Sequence, residues 1–377
     1  MGAERYRVLM TADTVGGVWD YALELARALG ARGDEVALAT MGGEPSRAQR
    51  RDADAIPGLQ LYPGRYRLMW MENPWDDVEA AGDWLLDLAE RLRPDVVHLN
   101  DYAHGDLPWP APVLVVGHSC VLSWWRAVHR GDAPADWARY RERVARGLRG
   151  AGLVAAPTRA MLAALERHYG ALPRARVVAN GRRIAASPVA ARAPLILAAG
   201  RLWDRGKNLA ALAAVAPQLA WPVCVAGEDR HPDGGRAELR GVRLLGRLPS
   251  TDLHAWMASA SIYALPARYE PFGLSALEAA QAGCALVLGD IPSLREVWGE
   301  AASYVAPDDT GALRRALQRL IDDPPLLARH AARARQCAAR YTPEAMAGAY
   351  RRCYAELVAG ARPRPPVSAA LSLGAAP

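Results

Sequence analysis

Short apolar runs alternate along this chain with longer segments of helical periodicity, and this alternation constrains the fold more than any other feature. The runs are apolar at nearly every position, as in strands that are buried on both faces of a parallel sheet. The intervening segments carry apolar residues three and four positions apart, which is the spacing of one helix face. Strands and helices in regular alternation predict an α/β fold built on doubly wound parallel sheets.

The alternation runs twice through the 377 residues, with an interruption in the middle. The first series of predicted strands is Arg7–Thr11, Glu35–Met41, Val96–Leu99, Val113–Val116, Leu153–Ala156 and Arg176–Val178. The second series is Leu195–Ala199, Val223–Ala226, Val242–Leu245, Ser261–Leu265, Ala285–Leu288 and Ser303–Val305. Between them, Asn180–Pro194 has no period and is typical of a linker. We therefore predict two Rossmann-like domains that face each other.

Composition and charge exclude several classes of protein. Hydrophobic residues make up 51% and charged residues 23% of the chain, which is typical of a globular protein and not of a disordered one. The excess of 46 Lys and Arg over 40 Asp and Glu gives a net charge of +6, which suits an anionic ligand but is too small to indicate nucleic acid. The five scattered cysteines include no C-x-x-C pair, so they predict neither a zinc site nor a disulfide framework.

Parallel sheets bind ligands at the carboxyl ends of their strands, so the loops after strands are the candidate sites. The first such loop contains Gly16 and Gly17, between a predicted strand and a predicted helix. Glycines let the backbone approach a ligand, and the free N–H groups of a helix start favour an anion. A tight turn without a ligand explains the pair equally well. The G-x-G-x-x-G pattern is missing, which argues against a nicotinamide dehydrogenase.

Two further loops carry charged side chains. Arg201 and Lys207, the only lysine of the chain, bracket the loop after Leu195–Ala199, where they can converge on phosphate oxygens. Glu270 follows the strand Ser261–Leu265, and Glu278 lies eight residues later on the apolar face of a predicted helix. A carboxylate in an apolar face is costly unless it is hydrogen-bonded, and a ligand rich in hydroxyls, such as a ribose, would satisfy it.

Together these segments resemble the retaining glycosyltransferases of family 4, which have the GT-B fold. The resemblance covers most of the chain, and the Glu270-Pro-Phe-Gly-Leu segment with Glu278 is its most specific part. It rests in addition on Gly16-Gly17-Val18, Asp95-Val96-Val97-His98, His118, Pro157-Thr158, Asn180-Gly181 and Gly200-Arg201 with Lys207-Asn208. One departure is Arg182-Arg183, where the family usually has an apolar residue and then an Asp.

The resemblance implies a role for each matching residue. Arg201 and Lys207 would hold the diphosphate of a nucleotide-sugar donor and stabilise it as it leaves. Glu278 would bind the ribose hydroxyls, Glu270 would bind hydroxyls of the transferred sugar, and His118 would lie beside that sugar. The donor site would be completed by the backbone of Phe272, Gly273 and Leu274 and by Gly16 and Gly17. The catalytic set is thus His118, Arg201, Lys207 and Glu270.

The resemblance also predicts the domain organisation. Residues 1–182 would form the acceptor domain and residues 193–342 the donor domain. The last predicted helix, Pro343–Val358, would cross back to the acceptor domain, so that 343–360 packs there. The face that would pack consists of Met346, Tyr350, Cys353, Tyr354 and Leu357. Residues 361–377 are rich in Pro and Ala and are predicted to be a disordered tail.

Substrates follow from the resemblance in class only. The donor would be a UDP-, GDP- or ADP-sugar, and the acceptor a hydroxyl of a sugar, a lipid-linked molecule or a small molecule, as in bacterial-type glycan biosynthesis. No cofactor is expected. Asp52-Ala53-Asp54 has the D-x-D spelling of a metal site, but it lies in an arginine-rich stretch that reads as a solvated loop. We therefore expect transfer without a metal, and front-face attack and double displacement both stay open.

Several residues have two interpretations. Trp124-Trp125 could be packing residues, or a platform for a sugar or lipid-linked acceptor. His98 reads as a core residue, and His104 as a loop residue that could face an acceptor. The basic helix about Ala135–Arg149 reads as a solvated face, with docking to anionic lipid as the alternative. It carries Arg139, Arg141, Arg143, Arg146 and Arg149.

No apolar run reaches the roughly 18 residues of a membrane span, and the N-terminal run is too short for a signal peptide. We therefore expect a cytoplasmic protein, with a peripheral contact on the inner face of the membrane as the second interpretation. Two other functions fit a similar fold: a nucleotide-sugar 2-epimerase, and a non-catalytic nucleotide-sugar-binding protein. The epimerase would bind a similar donor without an acceptor site. The Glu270 and Glu278 segment favours transfer.

Overall fold

The computed structural model describes residues 5–184, 192–231 and 234–361. These residues form two parallel sheets, each covered by helices on both faces, so the predicted α/β architecture is confirmed. The middle of the predicted linker and the predicted tail beyond Ala361 lie outside the described residues.

The N-terminal sheet has seven strands in the order β3-β2-β1-β4-β5-β6-β7, all parallel. They are β1 Arg7–Asp13, β2 Glu35–Met41, β3 Leu59–Pro63, β4 Val96–Leu99, β5 Val113–Val116, β6 Leu153–Ala156 and β7 Ala175–Val177. The sequence prediction missed β3. This strand lies at the sheet edge and is only half-buried, so it lacks the continuous apolar run of the central strands.

Six helices accompany this sheet: α1 Gly17–Gly30, α2 Arg47–Asp54, α3 Trp75–Leu92, α4 Val121–His129, α5 Ala138–Gly150 and α6 Arg159–Tyr169. The prediction of a loop at Asp52 and Asp54 was wrong, because both lie on α2. Ser46 and Gln49 form a capping box at the start of that helix, with each side chain bonded to the other residue's backbone N–H. Two satisfied N–H groups stabilise a helix that its polar sequence alone would not indicate.

The C-terminal sheet has six parallel strands in the order β10-β9-β8-β11-β12-β13. They are β8 Ala193–Ala199, β9 Val223–Ala226, β10 Arg243–Gly246, β11 Ala260–Leu265, β12 Ala285–Gly289 and β13 Ser303–Val305. Its helices are α7 Leu209–Val215, α8 Ser250–Ser259, α9 Leu274–Ala282, α10 Pro292–Trp298, α11 Thr310–Asp322 and α12 Pro324–Ala338. Separate apolar clusters cover the two faces of this sheet, as its continuously apolar strands require.

The last described helix, α13 Pro343–Gly360, packs against α1 and the strands β4 and β5 of the N-terminal sheet. Its buried side chains join the same apolar cluster as α1; they include Met346, Tyr350, Cys353, Tyr354 and Leu357. The hydroxyl of Tyr354 also lies 2.7 Å from Nδ1 of His98, which is fully buried. His98 is therefore a core residue that ties β4 to α13.

Direct contacts join the two domains beside the cleft between them. Glu296 of α10 accepts hydrogen bonds from the backbone N–H groups of Arg159 and Ala160, at 2.7 and 3.0 Å. These N–H groups belong to the first two residues of α6, so a carboxylate of one domain caps a helix of the other. Nearby, the Thr158 hydroxyl donates to the Pro271 carbonyl oxygen at 3.0 Å. The carboxyl ends of both sheets therefore face one shared space.

The packing of α13 leads to a test of stability. Leu357→Ala should lower the free energy of unfolding by about 2–5 kcal/mol, because it removes a fully packed side chain and leaves a cavity. Val358→Ala on the same helix is the matched control, since Val358 is 38% exposed and Leu357 only 3%. We expect the control to change stability by no more than about 0.5 kcal/mol. Urea unfolding followed by circular dichroism measures both; equal effects would contradict the packing of α13.

Candidate functional site

A cleft with a volume of about 1180 Å³ lies between the carboxyl ends of the two sheets. This exceeds the roughly 300–1,000 Å³ of a site for one small molecule, so the cleft has room for two substrates. All the residues that the sequence analysis selected line it: Gly16, Gly17, His118, Arg201, Lys207, Glu270, Phe272, Gly273, Leu274 and Glu278. The fold thus brings the whole set together, while the roles of its members in binding stay predictions.

Gly16 and Gly17 face the C-terminal domain across the narrow part of the cleft. A Cβ atom added to Gly16 would lie 3.7 Å from Nη1 of Arg201, and one added to Gly17 would lie 3.9 Å from Cδ1 of Leu274. Asp13, which the sequence analysis did not select, holds this loop: its Oδ1 accepts from the N–H groups of Val15 at 3.0 Å and Gly16 at 2.7 Å. Burial nevertheless raises the pKa of Asp13 above its ordinary value.

Arg201 follows β8 and extends into the cleft. Its Nη2 donates to Oδ2 of Asp204 at 2.9 Å, and its guanidinium carbon lies 4.8 Å from the centre of the Trp203 ring. The carboxylate and the ring restrict the rotamers of a long side chain that would otherwise be free. Asp204 and Trp203 were both present in the sequence motif, but nothing in the spacing of the motif indicated their contacts.

Lys207 and Glu270 form an ion pair at the start of α9. The ammonium of Lys207 donates to Oε2 of Glu270, while Oε1 of Glu270 accepts from the N–H of Gly273 at 2.9 Å. Gly273 precedes the helix with φ of +92°, a conformation that favours glycine. Phe272 is buried in the core, so only its backbone can meet a ligand. The helix start and the ammonium together make this end of the cleft attractive to anions.

Glu278 lies one turn inside α9 and is paired with a residue from the linker. Arg182 donates to Glu278 Oε1 at 2.7 Å and to Glu24 Oε2 of α1 at 3.2 Å. Burial alone would raise the pKa of Glu278, but His254 and the Arg182 guanidinium hold it below its ordinary value. The sequence did contain a signal for this contact, because Arg182 stands where the family usually has an apolar residue. The spacing alone could not assign its partners.

His118 lies at the end of β5 as a neutral imidazole with a defined tautomer. Its Nε2 lies 2.7 Å from Oδ1 of Asn100. The Asn100 amide nitrogen donates to the Thr11 carbonyl oxygen at 2.7 Å, which fixes Oδ1 as the atom facing His118. Nε2 must therefore carry the proton, and Nδ1 is left as an acceptor. Burial lowers the pKa of His118 to about 3, so the ring is neutral at physiological pH.

His104 behaves in the opposite way. Its Nδ1 lies 2.8 Å from Oδ1 of Asp101, and its Nε2 lies 2.9 Å from the Val78 carbonyl oxygen. Both partners can only accept, so both ring nitrogens donate and the imidazole is charged. Burial by itself would lower the pKa of His104, but Asp101 raises it above the ordinary value. His104 lines the cleft as a buried cation, paired with an ionised Asp101.

Trp124, Trp125 and three arginines of α5 all make contacts with other residues of the chain. Trp124 and Trp125 line the cleft; Trp124 donates to Asp204 Oδ1 at 2.8 Å, and Trp125 stacks on His129 with ring centres 4.3 Å apart. Three arginines of α5 have partners within the chain, and two of these partners are carboxylates that compensate charge a contact with anionic lipid would need. Arg139 pairs with Glu79, Arg146 with Asp106, and Arg143 donates to the Ala103 carbonyl oxygen.

The described residues contain neither a metal-binding cluster nor a membrane-spanning helix. Within residues 5–184, 192–231 and 234–361, His, Cys, Asp and Glu side chains form no group of three or more that could hold a metal ion. In the same part of the chain, every helix is too short or too polar to cross a bilayer.

Two families of known proteins match this chain, one for each domain. The family described as Glycosyltransferase Family 4 matches residues 15–185, and the family described as Glycosyl transferases group 1 matches residues 193–323. The two ranges contain all the cleft residues selected from the sequence.

Individual relatives match over different lengths. A glycogen synthase of Mycobacterium tuberculosis is 36% identical over 177 residues, which are 42% of this chain and 43% of the synthase. This match spans less than half the length of that relative. A GDP-mannose:cellobiosyl-diphosphopolyprenol alpha-mannosyltransferase of Komagataeibacter xylinus is 27% identical over 95% of this chain and 94% of its own length.

Among solved structures, sucrose-phosphate synthase from Thermosynechococcus elongatus superimposes with a TM-score of 0.79. The superposition covers 94% of this chain and 100% of the other, at 20% sequence identity. At this identity the likeness shows the fold alone, which is the GT-B arrangement predicted from the sequence.

His104 should titrate differently from His98 and His118. We expect His104 to lose its proton above the ordinary pKa of about 6.5, because Asp101 stabilises the cation. His98 and His118, whose pKa values burial lowers to about 3, should stay neutral between pH 5 and 8. Imidazole NMR signals, assigned through single His→Gln variants, measure all three. A titration of His118 near pH 6.5 would contradict the neutral ring described above.

The His104 pair should also affect stability with a defined sign. Because its pKa is raised on folding, its contribution is fully present below about pH 6.5 and is lost as the pH rises through the folded value. His104→Gln should therefore lose more stability relative to the parent at pH 6 than at pH 9. Urea unfolding at the two pH values measures the difference, and an equal loss at both would be the contrary result.

Proposed function

The chain belongs to the glycosyltransferases of family 4 and group 1, and from this membership we propose that it transfers a sugar from a nucleotide diphosphate sugar to a hydroxyl acceptor. The observation that carries the proposal is the convergence of cations from one domain with glycines and a neutral histidine from the other, in a cleft with room for two substrates. Neither domain alone holds both sets of groups.

The donor's diphosphate would bind beside Arg201, Lys207 and the start of α9. Breaking a glycosyl phosphate bond develops negative charge on the leaving diphosphate, and cations already fixed in position stabilise that charge in the transition state. Arg201 is held by Asp204, and Lys207 by Glu270, so each cation has a carboxylate partner at the cleft in this arrangement of the two domains. Gly16 leaves space beside Nη1 of Arg201 for the phosphate oxygens.

The remaining groups would bind the two ends of the donor. Glu278, ionised beside Arg182, would accept hydrogen bonds from the ribose hydroxyls. Glu270 and the unprotonated ring nitrogen Nδ1 of His118 would accept hydrogen bonds from hydroxyls of the transferred sugar. The side chain of His118 comes from the N-terminal domain, so the sugar would sit where the two domains meet.

We propose that transfer retains the anomeric configuration through front-face attack. The bond from the anomeric carbon to the phosphate oxygen breaks, the bond to the acceptor oxygen forms on the same face, and the leaving phosphate takes the acceptor's proton. In support, the carboxylates described at this part of the cleft are already engaged: Asp204 by Arg201, Glu270 by Lys207 and Asp13 by backbone N–H groups. A double displacement would need a free carboxylate on the far face of the sugar.

The class of donor is the first point to test. Thermal stabilisation by UDP-, GDP- and ADP-sugars identifies the ligand, because a donor that binds only the folded state raises the melting temperature. The names of the relatives make GDP-mannose and the glucose donors the first choices. The protein is then incubated with the donor that binds and with sugar, lipid-linked and small-molecule acceptors. Product that appears without any acceptor would favour the 2-epimerase, and binding without product would favour a non-catalytic role.

Substitutions in the phosphate loop test the mechanism. Arg201→Ala and Lys207→Ala should each slow transfer by about 10²-fold at saturating donor, as expected for the loss of a charge contact in the transition state. Arg205→Ala in the same loop is the matched control, since its side chain is exposed. Initial rates with each variant measure the effect. Turnover near that of the parent in both Arg201→Ala and Lys207→Ala would contradict the assignment.

We further propose that no metal ion takes part, because Arg201 and Lys207 supply the positive charge that a metal would otherwise provide. Transfer rates should therefore be unchanged after dialysis against excess EDTA. Addition of Mg²⁺ or Mn²⁺ to the dialysed protein should also leave the rate unchanged. Loss of activity on chelation, with recovery on adding either ion, would contradict this part of the proposal.

A further inference from the structure

Asp204 is a buried carboxylate that receives donors from both domains. Its Oδ2 binds Nη2 of Arg201 at 2.9 Å, and its Oδ1 accepts from the Gly206 N–H at 2.9 Å. The third donor is the indole N–H of Trp124, which lies on α4 of the opposite domain and reaches Oδ1 at 2.8 Å. One carboxylate thus joins a cation of the donor domain to a ring of the acceptor domain.

The local backbone is adapted to this contact. A Cβ atom added to Gly206 would lie 2.9 Å from both Asp204 Oδ1 and Trp124 Nε1, closer than real Cβ contacts allow. The φ angle of Gly206 lies outside the left-handed region, so alanine would be excluded by the indole and the Asp204 carboxylate and not by backbone strain. Gly206 is therefore the residue that lets the ring of one domain reach the loop of the other.

The charge balance at Asp204 supports a positioning role. Burial would raise the pKa of Asp204, but Arg201, Lys207 and the Trp124 indole hold it below its ordinary value, so the carboxylate is ionised. With Nη2 of Arg201 bound to it, Nη1 is the guanidinium nitrogen that faces Gly16 across the cleft. The position of the carboxylate thus determines the direction of the cation.

We propose that Trp124 and Asp204 are positioning residues that orient Arg201 toward the leaving diphosphate only when the two domains are closed. The proposal rests on the glycosyltransferase function proposed above. Trp124 can reach Asp204 only across the closed cleft, since the two side chains belong to different domains. When the cleft opens, Asp204 keeps Arg201 and the Gly206 N–H but loses the Trp124 donor, so the carboxylate that directs Arg201 is no longer held from the opposite domain.

The proposal predicts where the kinetic effect appears. Lys207 and Glu278 belong to the donor domain and can hold a donor in the open form. Loss of the Trp124 contact should therefore leave donor affinity nearly unchanged and lower kcat, because the contact acts when charge develops on the diphosphate. A tryptophan with a purely structural role would instead alter stability, without this division between kcat and donor affinity.

Trp124→Phe removes the indole N–H and retains an aromatic ring, while Gly206→Ala blocks the same hydrogen bond from the other domain. Each should lower kcat by about 10-fold or more, as for a hydrogen bond to a charged group, with donor dissociation constants within about 3-fold of the parent. Because both changes remove the same hydrogen bond between Trp124 and Asp204, the double variant should be no slower than the slower single variant. Trp84→Phe, the same change away from the cleft, should turn over like the parent.

Two further measurements keep the outcomes separate. The indole ¹⁵N–¹H signal of Trp124, assigned by its loss in Trp124→Phe, should be protected from exchange in the parent and unprotected in Gly206→Ala. Melting temperatures identify a variant that is merely unfolded. Parent-like kcat in both single variants, or additive effects in the double variant, would overturn the inference while the proposed function stands. Absence of turnover by the parent with every donor and acceptor would overturn the proposed function and the inference with it.

Discussion

The site depends on the pairing of buried charges across the two domains. Arg182 lies at the start of the linker, and its side chain is only 11% exposed. It binds Glu24 of α1 and Glu278 of α9. Removing one partner of such a group would leave an uncompensated charge inside the protein, which is far more costly than breaking a pair at the surface. Arg182 thus links the side chains of Glu24 and Glu278, so the linker and both domains are held relative to one another at this point.

The same principle organises the cations of the cleft. Arg201 and Lys207 are each held by a carboxylate, Asp204 and Glu270, before any ligand is bound. Pairing keeps two cations close together without mutual repulsion and fixes their direction, which is the condition for stabilising a charge that appears only during reaction. A diphosphate bound between the domains in this arrangement would meet cations whose directions are set by their carboxylates. The carboxylates would also limit the net positive charge of the site.

Much of this site could be predicted from the sequence because its parts are local. The loop with Arg201 and Lys207 follows a continuously apolar strand, and the carboxyl ends of parallel strands meet at one edge of a sheet, so its place in the cleft follows from topology. Contacts between distant segments could not be predicted in this way. Asp204 and Trp124 are 80 residues apart, and no periodicity relates them. The strand β3 was missed for a different reason, because an edge strand needs no continuous apolar run.

The sequence by itself determined the class of fold, the two domains and the loops that carry the chemistry, since strand burial, helix periodicity and loop position all follow from residues close together in the chain. Only the tertiary structure decided the state of each group. His118 is neutral and His104 charged although both follow strands of the same sheet, because one faces an amide oxygen in an otherwise buried site and the other faces Asp101. Protonation and direction depend on partners that folding brings together, and a linear pattern does not contain them.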